Sequence, residues 1–478
     1  MNTFTALYPL LSVVAGALCV LLLEVFLKRK NRDYLGFVAI FFLLNAGREC
    51  IRLWNRDASY FDGNLLLDNL ALFLCLILIL TTLFVILISM RYLRLQNANY
   101  GEYYALLLFA LSGMLIMVSS QDFVVIFLGL EVLSMSSYAL AGIKREDERS
   151  TEAAVKYFLL GSFASAFLVF GLALLYGAAH SVNIPAIVGF FQAENSLSLM
   201  ALIGMGLVII GFGFKIAVVP FHMWTPDVYE GSPTPITAFF SVGPKAVGFA
   251  VLLRLFDLFW NEALHSEAVF TGLWVMSVLT MVAGNLIALR QSNIKRILAY
   301  SSIAHAGYLM VALLAKDNAG LVFYLTVYLF MNIGAFAAVT ALAKKDEEYT
   351  DLEDYKGIGF RYPWIGATLM VFLISLAGFP PTGGFLAKFY IFSSAVREGL
   401  IPLVIIGVLA SLISVFYYLR IVVYMYMHPA ARTIEIDAYN PSLFLVLFLC
   451  LYGVLQLGIF PGNVLIIIRQ AVSALPIL

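Results

Sequence analysis

Charge is what this sequence has little of. Of 478 residues only 12% are charged and 62% are hydrophobic, whereas soluble globular proteins carry roughly a quarter charged residues. A water-soluble core cannot absorb that much apolar surface, which excludes an ordinary soluble fold. Cysteine is scarce too: Cys19, Cys50, Cys75 and Cys450 are scattered through apolar segments without paired spacing. Neither a disulfide framework nor a metal or iron–sulfur site is suggested, and no His/Cys set has haem spacing. A phosphate-cradling loop is also missing: 242-VGPKAVG-248 lacks the spacing, and 204-GMGLVIIGFG-213 lacks both the spacing and the βαβ context of a dinucleotide fingerprint. Its glycines read as helix-packing surfaces. The formal net charge is zero, with no basic tail that would favour nucleic acid. The N-terminus lacks a basic leader region, and its first apolar run is followed by Lys28, Arg29, Lys30 and Arg32. That run is expected to stay in the membrane as a helix.

What is there is a series of apolar runs of about 20 residues, the length a bilayer core of roughly 30 Å requires of a spanning helix. About 14 spans are expected by hydropathy, centred near Gly16, Phe41, Ile77, Ala110, Glu131, Ala166, Val208, Val247, Leu279, His305, Met331, Leu376, Ile413 and Gly453. The fold class is an all-α polytopic membrane protein. Basic residues collect in 28-KRKNR-32, 91-RYLR-94, 143-IKREDER-149, 290-RQSNIKR-296 and 344-KKDEEYTDLEDYK-356, all after odd-numbered spans. Because cytoplasmic loops retain positive charge, both termini are expected outside, with Arg48, Arg52 and Arg56 the exception. The long connector 180-HSVNIPAIVGFFQAENSLS-198 reads equally as a short interfacial segment or a plain link. The acidic stretch 346-DEEYTDLEDY-355 is expected to be solvated.

Two segments are broken in the middle. In 211-GFGFKIAVVPFHMWTPDVYEG-231, Pro220 follows Lys215; in 371-VFLISLAGFPPTGGFLAKFYIFSSAV-396, Pro380 and Pro381 precede Lys388. Proline removes a helix hydrogen bond and clashes with the preceding turn, so each segment is expected to be a discontinuous helix. Such backbone is tolerated at membrane depth only when buried in protein or lining a wet cavity. The broken spans are the seventh and twelfth, and an odd repeat of five inverts the second copy. Spans four to eight and nine to thirteen then form two inverted five-helix repeats, an architecture that places ion sites at broken helices. The expected divisions are 1–98 for an N-terminal three-helix segment, 99–260 and 261–430 for the repeats, and 431–478 for a C-terminal span.

Glu131, Lys215, Lys245 and His305 sit within spans, and Lys388 follows the second break. An ionisable residue at the centre of a spanning helix costs roughly 2.5–3.5 kcal/mol. A bare lysine titrates near pH 10.4, so service as a carrier near neutral pH demands surroundings that disfavour the ammonium by roughly 4 kcal/mol. Burial supplies this and a nearby carboxylate reverses it, which makes Glu131 with Lys215 a natural switch. The competing reading of all five is a set of buried pairs that lock helices together. Lys156, one turn inside the sixth span, and His222 are secondary candidates. His222 and His305 are either packing residues or proton relays, and Ser301, Ser302, Tyr300 and Tyr308 either hold waters between carriers or bond backbone carbonyls. Glu24, Arg48, Glu49, Arg52, Lys295 and Arg296 are expected to snorkel to the interface.

At 129-GLEVLSMSSYALAG-142, 214-FKIAVVPFHMWTPDVYEGSPTPITAFFSVGPKA-246, 293-NIKRILAYSSIAHAGYLMVAL-313 and 377-AGFPPTGGFLAKFYIF-392 the chain resembles the antiporter-like membrane subunits of proton-translocating NADH:quinone oxidoreductase, respiratory complex I. The resemblance implies Glu131 and Lys215 as charge-switch pair, Lys245 as central carrier, His305 as bridge and Lys388 as the carrier facing the exit or a neighbouring subunit. Lys156 matches a further partner position. It also implies that NADH, FMN, the iron–sulfur clusters and quinone belong to partner subunits, with no cofactor or metal in this chain, and that the chain works beside other membrane subunits in a bacterial inner membrane. A multi-component sodium/proton antiporter and a membrane-bound hydrogenase share the ancestry and stay open, as does a scaffold without transport.

Overall fold

Every apolar run predicted as a span centre lies in a helix. The computed structural model describes residues 3–28, 31–56, 58–61, 64–194, 197–259, 266–345, 347–430 and 440–473. In chain order the helices are α1 (Thr3–Ala6), α2 (Tyr8–Phe26), α3 (Asp33–Arg52), α4 (Asn69–Leu95), α5 (Glu102–Val118), α6 (Phe123–Ala141), α7 (Glu148–Ala179), α8 (Ile184–Glu194), α9 (Leu199–Ile216), α10 (Trp224–Gly231) and α11 (Thr234–Phe259). They continue with α12 (Glu267–Ala288), α13 (Ile294–Leu314), α14 (Asn318–Ala341), α15 (Ile358–Arg361), α16 (Pro363–Ala377), α17 (Gly383–Arg397), α18 (Ile401–Met427), α19 (Pro441–Ile459) and α20 (Gly462–Ser473). Twelve described helices are individually long and apolar enough to cross a bilayer. The 17-residue α5 and the pair α16/α17, 15 residues each, complete the expected set. The charges expected at Arg29, Lys30 and Asp346, and the divisions at 260/261 and 430/431, fall on or beside positions outside the described residues.

Three helices form the centre. The spanning windows of α11 and α13 are 100% buried and that of α14 is 94% buried, against 28% for α7. A helix that is apolar all round belongs inside a bundle, and these three carry Lys245, His305 and the tyrosines around it. One amendment to the all-helical expectation is a small antiparallel hairpin, β1 (Ala58–Tyr60) with β2 (Leu65–Leu67). Its short strands close one end of the bundle, where Leu66 N–H donates to the Ser119 carbonyl at 2.7 Å. The connector 180–198 contains helix α8 (Ile184–Glu194), so it is not a plain link.

The five basic loops converge on the same end. Arg94 pairs with Asp33 at 2.7 Å, Lys144 donates to Gln96 at 3.1 Å and pairs with Glu348, and Leu352 N–H donates to the Ser292 carbonyl at 2.8 Å. Here the expectations for Lys295 and Glu348 fail for one reason: a charge enclosed by the loops cannot reach bulk solvent, so each finds a partner. Lys295 is 2% exposed and lies 3.5 Å from Glu348, Glu348 itself is enclosed rather than solvated, and Arg296 pairs with Asp227 and Glu230, both at 2.8 Å. Glu24 is likewise held, by Gly101 N–H at 2.8 Å and Arg32 at 3.2 Å. Glu49 is buried between Arg48 and Arg52, which do reach outward.

Local geometry repeats itself. Asp122 caps α6 through the N–H groups of Val124 and Val125, and Asn293 caps α13 through those of Lys295 and Arg296. Beside the first cap, Phe123 N–H meets the Val182 carbonyl at 2.9 Å and Ile184 N–H the Gln121 carbonyl at 2.8 Å; beside the second, Ile294 N–H meets Thr350 at 2.7 Å and Leu352 N–H meets Ser292. The two breaks match as well. Helix α9 ends on left-handed Ala217 (φ 60) and α16 on left-handed Gly378 (φ 91), with cis bonds at Val219–Pro220 and Pro380–Pro381. In each, the next N–H, of Val218 or Phe379, returns to the last turn at Gly213 or Ile374, the helix-ending motif that satisfies orphan carbonyls. Glycine is demanded at 384, where a Cβ would stand 1.8 Å from the Ser375 carbonyl oxygen.

Candidate functional site: a buried row of lysines at two broken helices

Lys215 lies in the last turn of α9, where the negative end of the helix favours a cation. It is 3% exposed, and its ammonium donates to Ser134 Oγ on α6 at 3.0 Å. Below it lies an aromatic wall: the ammonium stands 5.8 Å from the Tyr157 ring centre, Tyr157 stacks on Trp224 at 4.5 Å, and the Trp224 indole N–H reaches back to the Phe214 carbonyl at 3.0 Å. The break therefore folds α10 back beneath the lysine. Glu131, one turn before Ser134 on α6, is half-buried and accepts from Ser165 of α7 at 2.6 Å. The expected switch partners thus stand near one another without an ion pair, and Ser134 is the link between their helices.

Lys245 is 1% exposed on α11 and donates to the backbone carbonyl of Ser302 on α13. The Ser302 hydroxyl accepts from Tyr328 at 2.8 Å and lies 3.5 Å from the Tyr229 hydroxyl. His305, one turn on, has Nδ1 2.7 Å from the Tyr324 hydroxyl and Nε2 3.4 Å from that of Tyr418, which also bonds Ser301. Tyr308 packs edge-on to the imidazole and accepts from Asn285 at 3.1 Å. Among the described residues, no hydrogen bond joins the Tyr300 hydroxyl to this cluster.

Lys388, on α17, reaches back across the second break. Its ammonium donates to the carbonyls of Leu376 and Ala377, both at 3.0 Å, and to Ser411 of α18 at 2.8 Å, and stands 4.9 Å from the Tyr308 ring centre. It therefore caps the carbonyl end of α16, an arrangement by which broken membrane helices hold cations. On its outer side opens a cavity of about 470 Å³ walled by Phe379, Phe385, Phe389 and Phe392 with Ser393.

None of the three buried lysines forms a salt bridge among the described residues. Each is instead bonded to hydroxyls or carbonyls, groups that hold an ammonium without neutralising it. Hydroxyls that both donate and accept fill the space from Lys245 to Lys388, so the interior has the components for proton transfer. Lys156 differs. It is partly exposed and pairs with Glu152 at 2.6 Å and Asp227 at 2.7 Å, and Arg296 joins the same carboxylate. These groups line an open, polar cavity of about 270 Å³ with Arg149 and Glu230. His222 lies in the first break, with Nδ1 unpartnered and no bond to the row. No group of three or more His, Cys, Asp or Glu side chains arranged to hold a metal occurs among the described residues.

Residues 120–414 match the protein family described as NADH:quinone oxidoreductase/Mrp antiporter, TM. The chain belongs to this family. It is 45% identical over 470 residues to NADH-quinone oxidoreductase subunit N of Trichlorobacter lovleyi, covering 97% of this chain and 95% of that one. It is 39% identical to subunit N of Myxococcus xanthus, covering 98% and 97%. Among solved structures, a chain of respiratory complex I from Thermus thermophilus superposes with TM-score 0.83 at 31% identity over 97% of this chain and all of that one. A chain of the Mrp complex of Dietzia superposes with TM-score 0.82 at 19% identity over 99% and 98%, a likeness of fold alone.

Several members of the site escaped the sequence reading. Ser134, Tyr324, Tyr328, Tyr418 and Ser411 carry no signal of their own, being ordinary residues of apolar helices. Asp227 did carry one. It stands ten residues beyond left-handed Ala217, as Lys388 stands ten beyond left-handed Gly378.

Proposed function

We propose that this chain is the proton-translocating, antiporter-like membrane subunit of a bacterial NADH-quinone oxidoreductase, and that protons move through it along Glu131, Lys215, Lys245, His305 and Lys388. One observation carries the assignment of the row: Lys215, Lys245 and Lys388 are enclosed in protein yet, among the described residues, none pairs with a carboxylate. A lysine kept only to lock helices is expected in a pair, because an unpaired buried charge is strongly destabilising. Such locks exist elsewhere in the chain, at Arg254 with Asp68 and at Arg296 with Asp227.

In this reading Lys215 exchanges its proton under the influence of Glu131, whose distance is set by α7 and α11, against which both α6 and α9 pack. Lys245 relays through the Ser302, Tyr229 and Tyr328 hydroxyls to His305, and Lys388 delivers toward the cavity beside it. Lys156 lines the polar cavity together with Arg149, Glu152 and Asp227, and His222 is a packing residue of the break. The matched caps and breaks support two inverted repeats, α5 to α11 and α12 to α18, after an N-terminal segment and before a C-terminal span. The end at which the basic loops meet is the cytoplasmic one, which leaves both termini outside. NADH, FMN, iron–sulfur clusters and quinone are held by partner subunits, so the chain is part of an oxidoreductase without itself carrying electrons.

The test is NADH-driven proton pumping in membrane vesicles carrying Lys215→Met, with assembly of the complex verified. Pumping lost from an assembled complex is the expected result. Undiminished protons per electron would overturn the carrier reading.

A further inference from the structure

Outside the row, Glu348, in the connection from α14 to α15, gathers a largely enclosed ionic cluster. One carboxylate oxygen receives the Tyr92 hydroxyl of α4 and the Lys144 ammonium of the α6–α7 loop. The other accepts from Thr234 Oγ1 at 2.8 Å and lies 3.5 Å from Lys295. Both lysines have a further acceptor, Lys144 in Gln96 and Lys295 in the Ser232 carbonyl at 2.6 Å. Burial alone would raise the Glu348 carboxyl, but Lys295 and Lys144 hold it well below the usual carboxylate range, with the Tyr92 hydroxyl assisting. Glu230 acts on Lys295 from α10, and Tyr355 and Asp354 stand on the same connection as Glu348. The carboxylate is an anchor rather than an exchanger of protons.

What it anchors is decisive. Thr234 is the first residue of α11, eleven residues before Lys245, and Lys295 is the second residue of α13, seven before Ser302. These two helices meet where Lys245 donates to the Ser302 carbonyl. An α-helix rises about 1.5 Å per residue, so an axial slip of one helix past the other by a single residue's rise is enough to break a hydrogen bond. The first turns of both helices are fixed to one carboxylate, which sets that register. The same carboxylate reaches α4 and the α6–α7 loop, so a group supplied by the second half of the chain braces the first.

We propose that Glu348 is a positioning residue for proton transfer, holding α11 and α13 in the register at which Lys245 meets Ser302. This rests on the row being the proton path. The measurement is NADH-driven proton uptake by vesicles containing the assembled complex with Glu348→Gln, beside NADH oxidation by an artificial acceptor that bypasses the membrane subunits. The expected result is proton uptake reduced at least about threefold with artificial-acceptor activity unchanged, and recovery toward wild type in Glu348→Asp. Wild-type uptake in assembled Glu348→Gln overturns the proposal. Should Glu348→Gln not assemble, Thr234→Val removes the tie to α11 and leaves Glu348 bonded to Tyr92, Lys144 and Lys295; slower uptake supports the proposal and wild-type uptake overturns it. Lys245→Met, run in parallel, separates the two ideas. If it pumps normally the proton path itself is wrong, whereas if it fails while Glu348→Gln pumps normally only the anchor is.

Discussion

Lys388→Arg separates a proton carrier from a structural cation. Arginine keeps a positive charge and offers five donors in place of three, so it can still reach the Leu376 and Ala377 carbonyls and Ser411. Space is available, because the cavity of about 470 Å³ begins at this side chain. A purely structural role is therefore preserved. Release of a proton is not: a guanidinium titrates at about 12.5–13.8, so near neutral pH only about one in 10⁵ or fewer is deprotonated, equivalent to a barrier of about 7 kcal/mol or more. Even if a neighbouring group repaid half of that, transfer through position 388 would fall by more than about a hundredfold. In vesicles the assay is the rate of NADH-driven acidification at matched complex content. Lys388→Met, which removes charge and donors, gives the comparison: the carrier role predicts that Arg and Met lose pumping alike. Pumping restored by Arg and lost only in Met would refute the reasoning and make Lys388 a cap for α16.

The buried pair of Arg254 with Asp68, held by bonds of 2.7 and 2.9 Å, should cost about 3–5 kcal/mol when broken by Arg254→Met. The double replacement with Asp68→Asn should recover most of the loss, read as the temperature at which the chain leaves the complex; equal melting of single and double variants would refute this. Gly384→Ala places a Cβ on the Ser375 carbonyl, an overpacking worth about 1–3 kcal/mol. It should move α17 enough to loosen Lys388 and slow pumping more than assembly. Ser302→Ala leaves the carbonyl that receives Lys245 but deletes the hydroxyl shared with Tyr328, so pumping should fall while thermal stability shifts by about 1 kcal/mol. For Glu348, whose folded carboxyl titrates below its free value, the stabilisation is fully present above about pH 4.3 and is lost only as pH falls through the lower folded value. The melting difference between wild type and Glu348→Gln should thus be flat from about pH 8 to about pH 5, and a steady decline across that range would contradict the assignment.

The helices were legible because membrane depth imposes one rule, continuous apolar length, and the runs around Gly16 through Gly453 obey it. The breaks were legible because proline and glycine interrupt that length at Pro220 and at Pro380 to Gly384. Charges deep in spans announced themselves by cost, which is why Lys215, Lys245 and His305 stood out. Charges near span ends did not, since the same cost argument assigns Lys295 to the interface and Glu348 to solvent. Their burial arises from loops of both halves closing over one another, a long-range event without local pattern. The hydroxyl partners Tyr324, Tyr328 and Tyr418 are silent for a related reason: tyrosine in an apolar helix packs well whether or not its oxygen is used.

The matched breaks give the row an asymmetry. Position 227 of the first and position 388 of the second are equivalent by distance from the left-handed residue, yet one is aspartate and the other lysine. At the first break Lys215 is held by a hydroxyl, and the charges that are paired there, Asp227 with Lys156 and Arg296, stand beside an open polar cavity. At the second, Lys388 has carbonyls and a hydroxyl only, and its cavity is walled by phenylalanines. On the proposed path, a proton entering beside the first break meets balanced charges at Asp227, while at the second it sits on Lys388, which has no counter-charge among the described residues. If the row is the proton path, a partner carboxylate placed in the phenylalanine-walled cavity would hold the proton on Lys388 until it withdrew. On that proposal, release at this end depends on the position of a neighbouring subunit.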